Sequence, residues 1–340
     1  MIHPRNWALA ALGVVGIALV ALPLLFNMFG RAPKGAEMLT SFRPFMTSTR
    51  LAGFQTEIRQ INAGVLETRT SVVVRLEGKS DSAARARFDS QYPTFAQFSE
   101  QWPAIDAHMS SLLDQVQGNL GNYQAIAALP SFRLFPWFFV IPGFLIVALL
   151  CAVVMRPQRW RSIRMALAVL GIGLIVAPAV FQMFQRAPKG GQMMSAFEGI
   201  ETTSNVEMIQ GYFGSMAVGQ GAIRLDVVPA LEDQGMTPSR VQSRFPAVAT
   251  LDQNWDHILN DMTPMIGAMS DNVANYQAIA ALPPFPLFPY FFVFPGLLVV
   301  AFAIGAGPGR RNRGSRVDGE LSPTSVQAAI EQERETTWQR

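Results

Sequence analysis

Two strings of residues occur twice in this chain. Arg31 to Gly35 reads RAPKG and returns unchanged at Arg186 to Gly190, and Asn122 to Pro130, NYQAIAALP, returns at Asn275 to Pro283. The spacing implies a unit of about 150 residues written twice, so whatever one half folds into, the other must be able to fold into as well.

Each unit holds two apolar runs around a polar, helix-patterned stretch. The runs are Trp7 to Phe29, Leu134 to Met155, Ile163 to Phe184 and Leu287 to Ala306, and none carries Asp, Glu, Lys, Arg or His in its interior. Roughly 20 such residues cross a hydrocarbon core as a helix. With half the residues hydrophobic and 15% charged, the expectation is an all-α membrane protein with four transmembrane helices. The first run has the look of a signal peptide behind Arg5, but its counterpart after Arg164 is internal, so both are read as permanent spans.

Arginine placement orients the chain. Arg5, Arg156, Arg159, Arg161, Arg164, Arg310, Arg311, Arg313 and Arg316 flank one side of the spans, against Arg31, Lys34, Arg133, Arg186 and Lys189 on the other. The bias puts both termini in the cytoplasm of a plasma-membrane protein and the two long inserts outside it. The expected organisation is a first repeat over 1–155, with spans 7–29 and 134–155 around an outer domain at 35–130. A second repeat over 156–306 has spans 163–184 and 287–306 around an outer domain at 190–283. Residues 307–340, polar and poor in apolar residues, read as a disordered cytoplasmic tail. Because each unit has two spans, the repeats face the same way and imply a pseudo-twofold axis along the membrane normal. The single cysteine, Cys151, lies in a span, so the outer domains have no disulfide and depend on packing.

Apolar stripes describe that packing. Leu51, Phe54, Ile58, Ile61 and Val65 recur at helical steps of three and four, and Val206, Ile209, Phe213 and Met216 repeat the spacing with other side chains. A second stripe, from Phe95 through Trp102 and Met109 to Tyr123, matches one from Val248 through Trp255 and Met262 to Tyr276 position by position. Leu76-Glu77-Gly78 and Leu231-Glu232-Asp233, followed by Asp81 and Thr237-Pro238, mark a turn and a helix start. Gly64, Gly219, Gly221, Pro103 and Pro264 interrupt the stripes, which favours compact bundles of about four short helices over long hairpins. The proline of RAPKG is expected to end each odd-numbered span just outside the bilayer. The aromatics of the Leu-Pro-x-Phe-x-Leu-Phe-Pro segments belong to an interfacial belt, and Gly16 and Gly171, with Gly13 and Gly173, permit close helix contact.

Candidate sites follow from chemistry at symmetric positions. Arg31, Lys34, Arg186 and Lys189 sit at the outer boundary, where they suit the phosphate of a lipid headgroup as well as they suit helix anchoring. Trp255, Met262, Met265 and Met269 share one helix face, which suits an apolar groove for a lipid tail or partner helix, and equally a core of adaptable side chains. The second outer domain holds eight methionines against three in the first, and three basic to ten acidic residues against eight to nine. A solvated acidic face is the ordinary meaning of that charge.

No HExxH, GxSxG, P-loop or Cys/His pattern is present, and the His108 and His257 positions do not correspond, so the expectation is no enzyme, no metal and no cofactor. Spans without ionisable groups argue against ion-coupled transport. The helical insert between two spans resembles the architecture of bacterial chemoreceptor sensor regions, but the link between repeats is too short for a signalling module. The expected function is therefore an accessory or scaffold that binds membrane lipids or a membrane or envelope protein, with no nucleic-acid partner. The alternative is a component that moves a lipid or apolar molecule along the interface of the repeats.

Overall fold

A computed structural model describes residues 4–305, and the tail read at 307–340 lies outside the described residues. All regular structure among the described residues is helical. In the first half, α1 (Pro4–Leu25) leads to α2 (Met28–Phe42), α3 (Ser48–Glu67), α4 (Val73–Glu77), α5 (Ser82–Gln91), α6 (Pro93–Ala127) and α7 (Phe135–Met155). The second half follows the same order with α8 (Trp160–Val180), α9 (Met183–Phe197), α10 (Thr203–Ala222), α11 (Val228–Asp233), α12 (Pro238–Arg244), α13 (Pro246–Ala280) and α14 (Phe288–Gly305). Three stretches, Phe132–Met155, Trp160–Val180 and Phe285–Gly305, are long and apolar enough to cross a membrane. Leu9–Leu25 with Met28–Phe42 makes a fourth if the pair, bent by 59°, counts as one span.

That bend is not where the proline predicts it. Pro33 and Pro188 lie inside α2 and α9, and the chain breaks earlier, at Asn27 and Gln182, both left-handed with φ of 50° and 54°. A proline this near a helix start removes few backbone bonds, whereas a left-handed residue redirects the chain at once.

The region between the spans also departs from four short helices per half. The prolines Pro103 and Pro264 sit on exposed faces of α6 and α13, where the carbonyl each one frees can meet water, and both helices run unbroken for 35 residues, about 50 Å. Gly64 and Gly219 do not break α3 and α10 either. A Cβ on Gly64 would stand 2.4 Å from Leu251 Cδ2, and one on Gly219 2.6 Å from the Phe98 ring. These glycines are therefore places where helices of opposite halves cross. Each is followed by one π-helical turn, Thr68–Val72 and Ile223–Val227. The expected turns are present: Gly78 and Gly235 are left-handed, and Asp81 caps α5 by accepting from the Ala84 N–H at 2.7 Å.

The two outer domains expected from the stripes share one core. α3 packs on α13 as well as α6, α10 on α6 as well as α13, and α2 and α9 lie mainly on α13 and α6, the long helices of the opposite half. One buried cluster accordingly joins Leu51, Phe54, Phe95 and Trp102 with Val206, Val248, Leu251 and Trp255.

In the apolar layer the pairing reverts to helices of the same half, α1 with α7 and α8 with α14. Gly16 meets Gly143, and Gly171 meets Gly296: a Cβ on Gly143 would lie 2.8 Å from the Gly16 carbonyl oxygen, and one on Gly296 2.8 Å from that of Gly171. Backbones this close need glycine on both sides. Gly173 faces open space and Gly13 makes only ordinary contact, so they take no part.

The halves meet in this layer through phenylalanine. Phe132 and Phe285 lie 5.8 Å apart between ring centroids, Phe135 and Phe288 5.7 Å, and Phe139 and Phe292 4.6 Å. All six are buried, in a seam rather than a belt, while Trp137 and Tyr290 point outward as belt residues do.

Candidate functional site at the membrane boundary

The recurring strings are brought together at the boundary between the apolar layer and the helical core beside it, each meeting the other across the halves. Arg31 of the first RAPKG donates to the carbonyl of Ala281 at 2.8 Å, and Arg186 of the second donates to that of Ala128 at 2.7 Å. Ala128 and Ala281 are the C-cap residues of α6 and α13, whose last carbonyls lack helical partners. The glycines of the strings complete the fit. Gly35 is packed under Ile279, and Gly190 under Ile126, where a Cβ would approach Cδ1 to 3.0 and 2.8 Å.

The tyrosines of NYQAIAALP bind within their own half. Tyr123 donates its hydroxyl to the Leu39 carbonyl at 2.7 Å and Tyr276 to the Met194 carbonyl at 2.6 Å. Burial raises both phenols above their ordinary value, so each stays protonated as the donor these carbonyls require.

Beside each tyrosine a cleft opens at an equivalent place. The first, about 510 Å³, is lined by Leu39, Arg43, Tyr123, Ile126, Leu129 and Phe132 among others. The second, about 320 Å³, is lined by Met194, Glu198, Tyr276, Ile279, Leu282 and Phe285. Both present an apolar floor with a polar rim, but the rim charge is inverted, with Arg43 in one and Glu198 in the other. Lys34 and Lys189 make no hydrogen bond or ion pair within the described residues.

The methionine face lies elsewhere. Trp255, Met262 and Met269 are buried in the core that the two halves share, and Met265 is packed against it. Met265 and Met269 border a cavity of about 50 Å³.

Into that space, and into a second of about 20 Å³ bordered by Tyr123 and Tyr276, points Glu201. Its side chain is 2% exposed and neither carboxylate oxygen has a hydrogen-bond partner. Burial pushes its carboxyl up to about 8, so the acid is held neutral in neutral solution. The position is occupied by Met46 in the first half, and that contrast is the signal by which sequence comparison of the halves could have found it.

A further group was invisible to motif reading because it spans the halves. Glu57 on α3 meets His257 and Asp261 on α13, with a ligating atom of each within 4.8 Å of the others. At the equivalent crossing of α10 and α6, His108 Nδ1 and the Tyr212 hydroxyl lie 3.0 Å apart.

Compared with known protein families, curated proteins and solved structures, the chain matches none of the three.

Proposed function

We propose that this chain is a non-enzymatic, multi-pass plasma-membrane protein that holds lipid at its outer boundary and serves as an accessory or scaffold in envelope assembly or transport. The observation that carries the reading is the pair of clefts beside Tyr123 and Tyr276, each apolar at its floor and polar at its rim. A phospholipid has that division: its acyl chains suit the floor and its headgroup the rim. Arg43 favours an anionic headgroup in the first cleft, and Glu198 disfavours one in the second. Lys34 and Lys189, free of protein partners among the described residues, add positive charge nearby, whereas Arg31 and Arg186 are engaged by helix carbonyls.

Duplication belongs to this reading as a structural principle. Two copies of one unit, related by a pseudo-twofold axis along the membrane normal, account for the reciprocal arginine contacts and for phenylalanines that meet their own equivalents. Both termini are cytoplasmic in this reading. The closed phenylalanine seam weighs against a path for lipid between the halves, which favours holding over moving.

Native mass spectrometry of the chain released from native membranes in gentle detergent tests the reading. Retained phospholipid is expected, with anionic species preferred, and Arg43→Glu reduces anionic occupancy severalfold. A lipid-free chain, or occupancy unchanged by Arg43→Glu together with Lys34→Gln and Lys189→Gln, contradicts it.

A further inference from the structure

Where α3 of the first half crosses α13 of the second, three potential metal ligands converge. His257 and Asp261 stand one helical turn apart on α13, the spacing that puts two side chains on one face. Glu57 comes from the facing helix, and one ligating atom from each of the three lies within 4.8 Å of the others.

The group is incompletely satisfied. Glu57 is 9% exposed, and its Oε2 is buried without a hydrogen-bond partner. Leaving a carboxylate oxygen so is costly unless something supplies positive charge. Arg50 gives its hydrogen bonds to Asp261 and none to Glu57: its Nη1 donates to Asp261 Oδ2 at 2.7 Å and its Nη2 to the Asp261 carbonyl at 2.8 Å. A surface cleft of about 480 Å³ lined by Ala52, Gly53, Thr56, Gln60 and Asn254 opens on the group, giving a hydrated ion a way in.

We propose that Glu57, His257 and Asp261 bind a divalent transition-metal ion of the zinc class, with water from the cleft completing its coordination. One imidazole and two carboxylates suit zinc and its neighbours, because nitrogen ligation selects against calcium and magnesium, which prefer all-oxygen sites. Arg50 offsets one of the two carboxylates, so the ion meets a single net negative charge and binds with moderate affinity. The bound ion joins α3 to α13 and so fastens one half to the other.

The site occurs once per chain among the described residues. At the equivalent crossing, Tyr212 stands in the place of Glu57 and His108 in that of Asp261, and these two side chains hydrogen-bond each other. The halves, alike in packing, differ in chemistry here.

The test uses the full chain, purified in detergent and stripped with chelator. Zinc titration by calorimetry, with metal content measured after desalting, should give one ion per chain, and cobalt should give visible absorption bands of a low-coordinate site. His257→Ala, at a largely exposed side chain that folding does not need, should weaken zinc binding at least tenfold, as should Glu57→Gln. His108→Ala should leave it unchanged. Absence of zinc uptake, uptake indifferent to His257→Ala, or uptake abolished by His108→Ala would each overturn the assignment.

Discussion

The guanidinium of Arg31 donates to the carbonyl of Ala281, 250 residues along the chain, and so closes the end of a helix that belongs to the other half. Arg186 does the same for Ala128. Retention of both arginines therefore has a structural cause whether or not a ligand is present. Replacing Arg31 and Arg186 together by Gln should destabilise the region between the spans by about 1 kcal/mol for each hydrogen bond removed, seen as a lowered Tm in detergent. Lys34→Gln with Lys189→Gln should leave Tm unchanged; equal losses in the two variants would show that the arginines act as surface charge alone.

Gly64 makes a sharper case, since a Cβ there would stand 2.4 Å from Leu251 Cδ2. Gly64→Ala should cost about 1–3 kcal/mol, as overpacking does. Gly53, on the same helix, has nothing within 4 Å, so Gly53→Ala should be neutral or stabilising by up to about 1 kcal/mol. Chemical unfolding of the two variants side by side separates packing from helix propensity. A Gly64→Ala protein as stable as Gly53→Ala would refute the crossing.

Glu201 predicts a pH dependence of definite sign. In the unfolded chain its carboxyl ionises near 4.5, and in the folded chain at about 8. Between those values the folded state holds a proton that the unfolded state has lost, so stability is greatest below pH 4.5, falls as pH rises, and levels above pH 8. The slope from this one group is at most about 1.4 kcal/mol per pH unit. Glu201→Met, which installs the residue of the first half, should raise Tm at pH 8 and barely change it at pH 4.5. A benefit equal at both values would mean that folding leaves the Glu201 carboxyl at its ordinary value.

Much of the architecture is legible in the sequence because it rests on local pattern. Apolar runs of span length and stripes at helical period state what must be buried, and the residues from Leu51 to Val65 and from Phe95 to Met109 in those stripes lie in or against the core. Which half buries them is not legible. Leu251 and Phe98 occupy equivalent positions, so packing Gly64 against either satisfies the same volumes and the same pattern. The choice is made by geometry at Asn27 and Gln182, where left-handed residues swing α2 and α9 across to the opposite half. Candidate sites follow the same division. The boundary strings could be found by their recurrence, whereas Glu57, His257 and Asp261 become neighbours only through that exchange.

Exchange of helices between the halves underlies the contacts of Arg31, Gly64 and Glu57, and cysteine cross-linking reads it directly. In a Cys151→Ser background, Gly35→Cys can be combined with Ile279→Cys or with Ile126→Cys, the equivalent residue of its own half. The chain is then oxidised and cut by trypsin in the link around Arg159 and Arg161. Exchange predicts that Gly35→Cys with Ile279→Cys keeps the two halves together on a denaturing gel until reductant is added, and that Gly35→Cys with Ile126→Cys does not form its bond. Efficient bonding in the Ile126→Cys protein and none in the Ile279→Cys protein would show instead that each half folds upon itself.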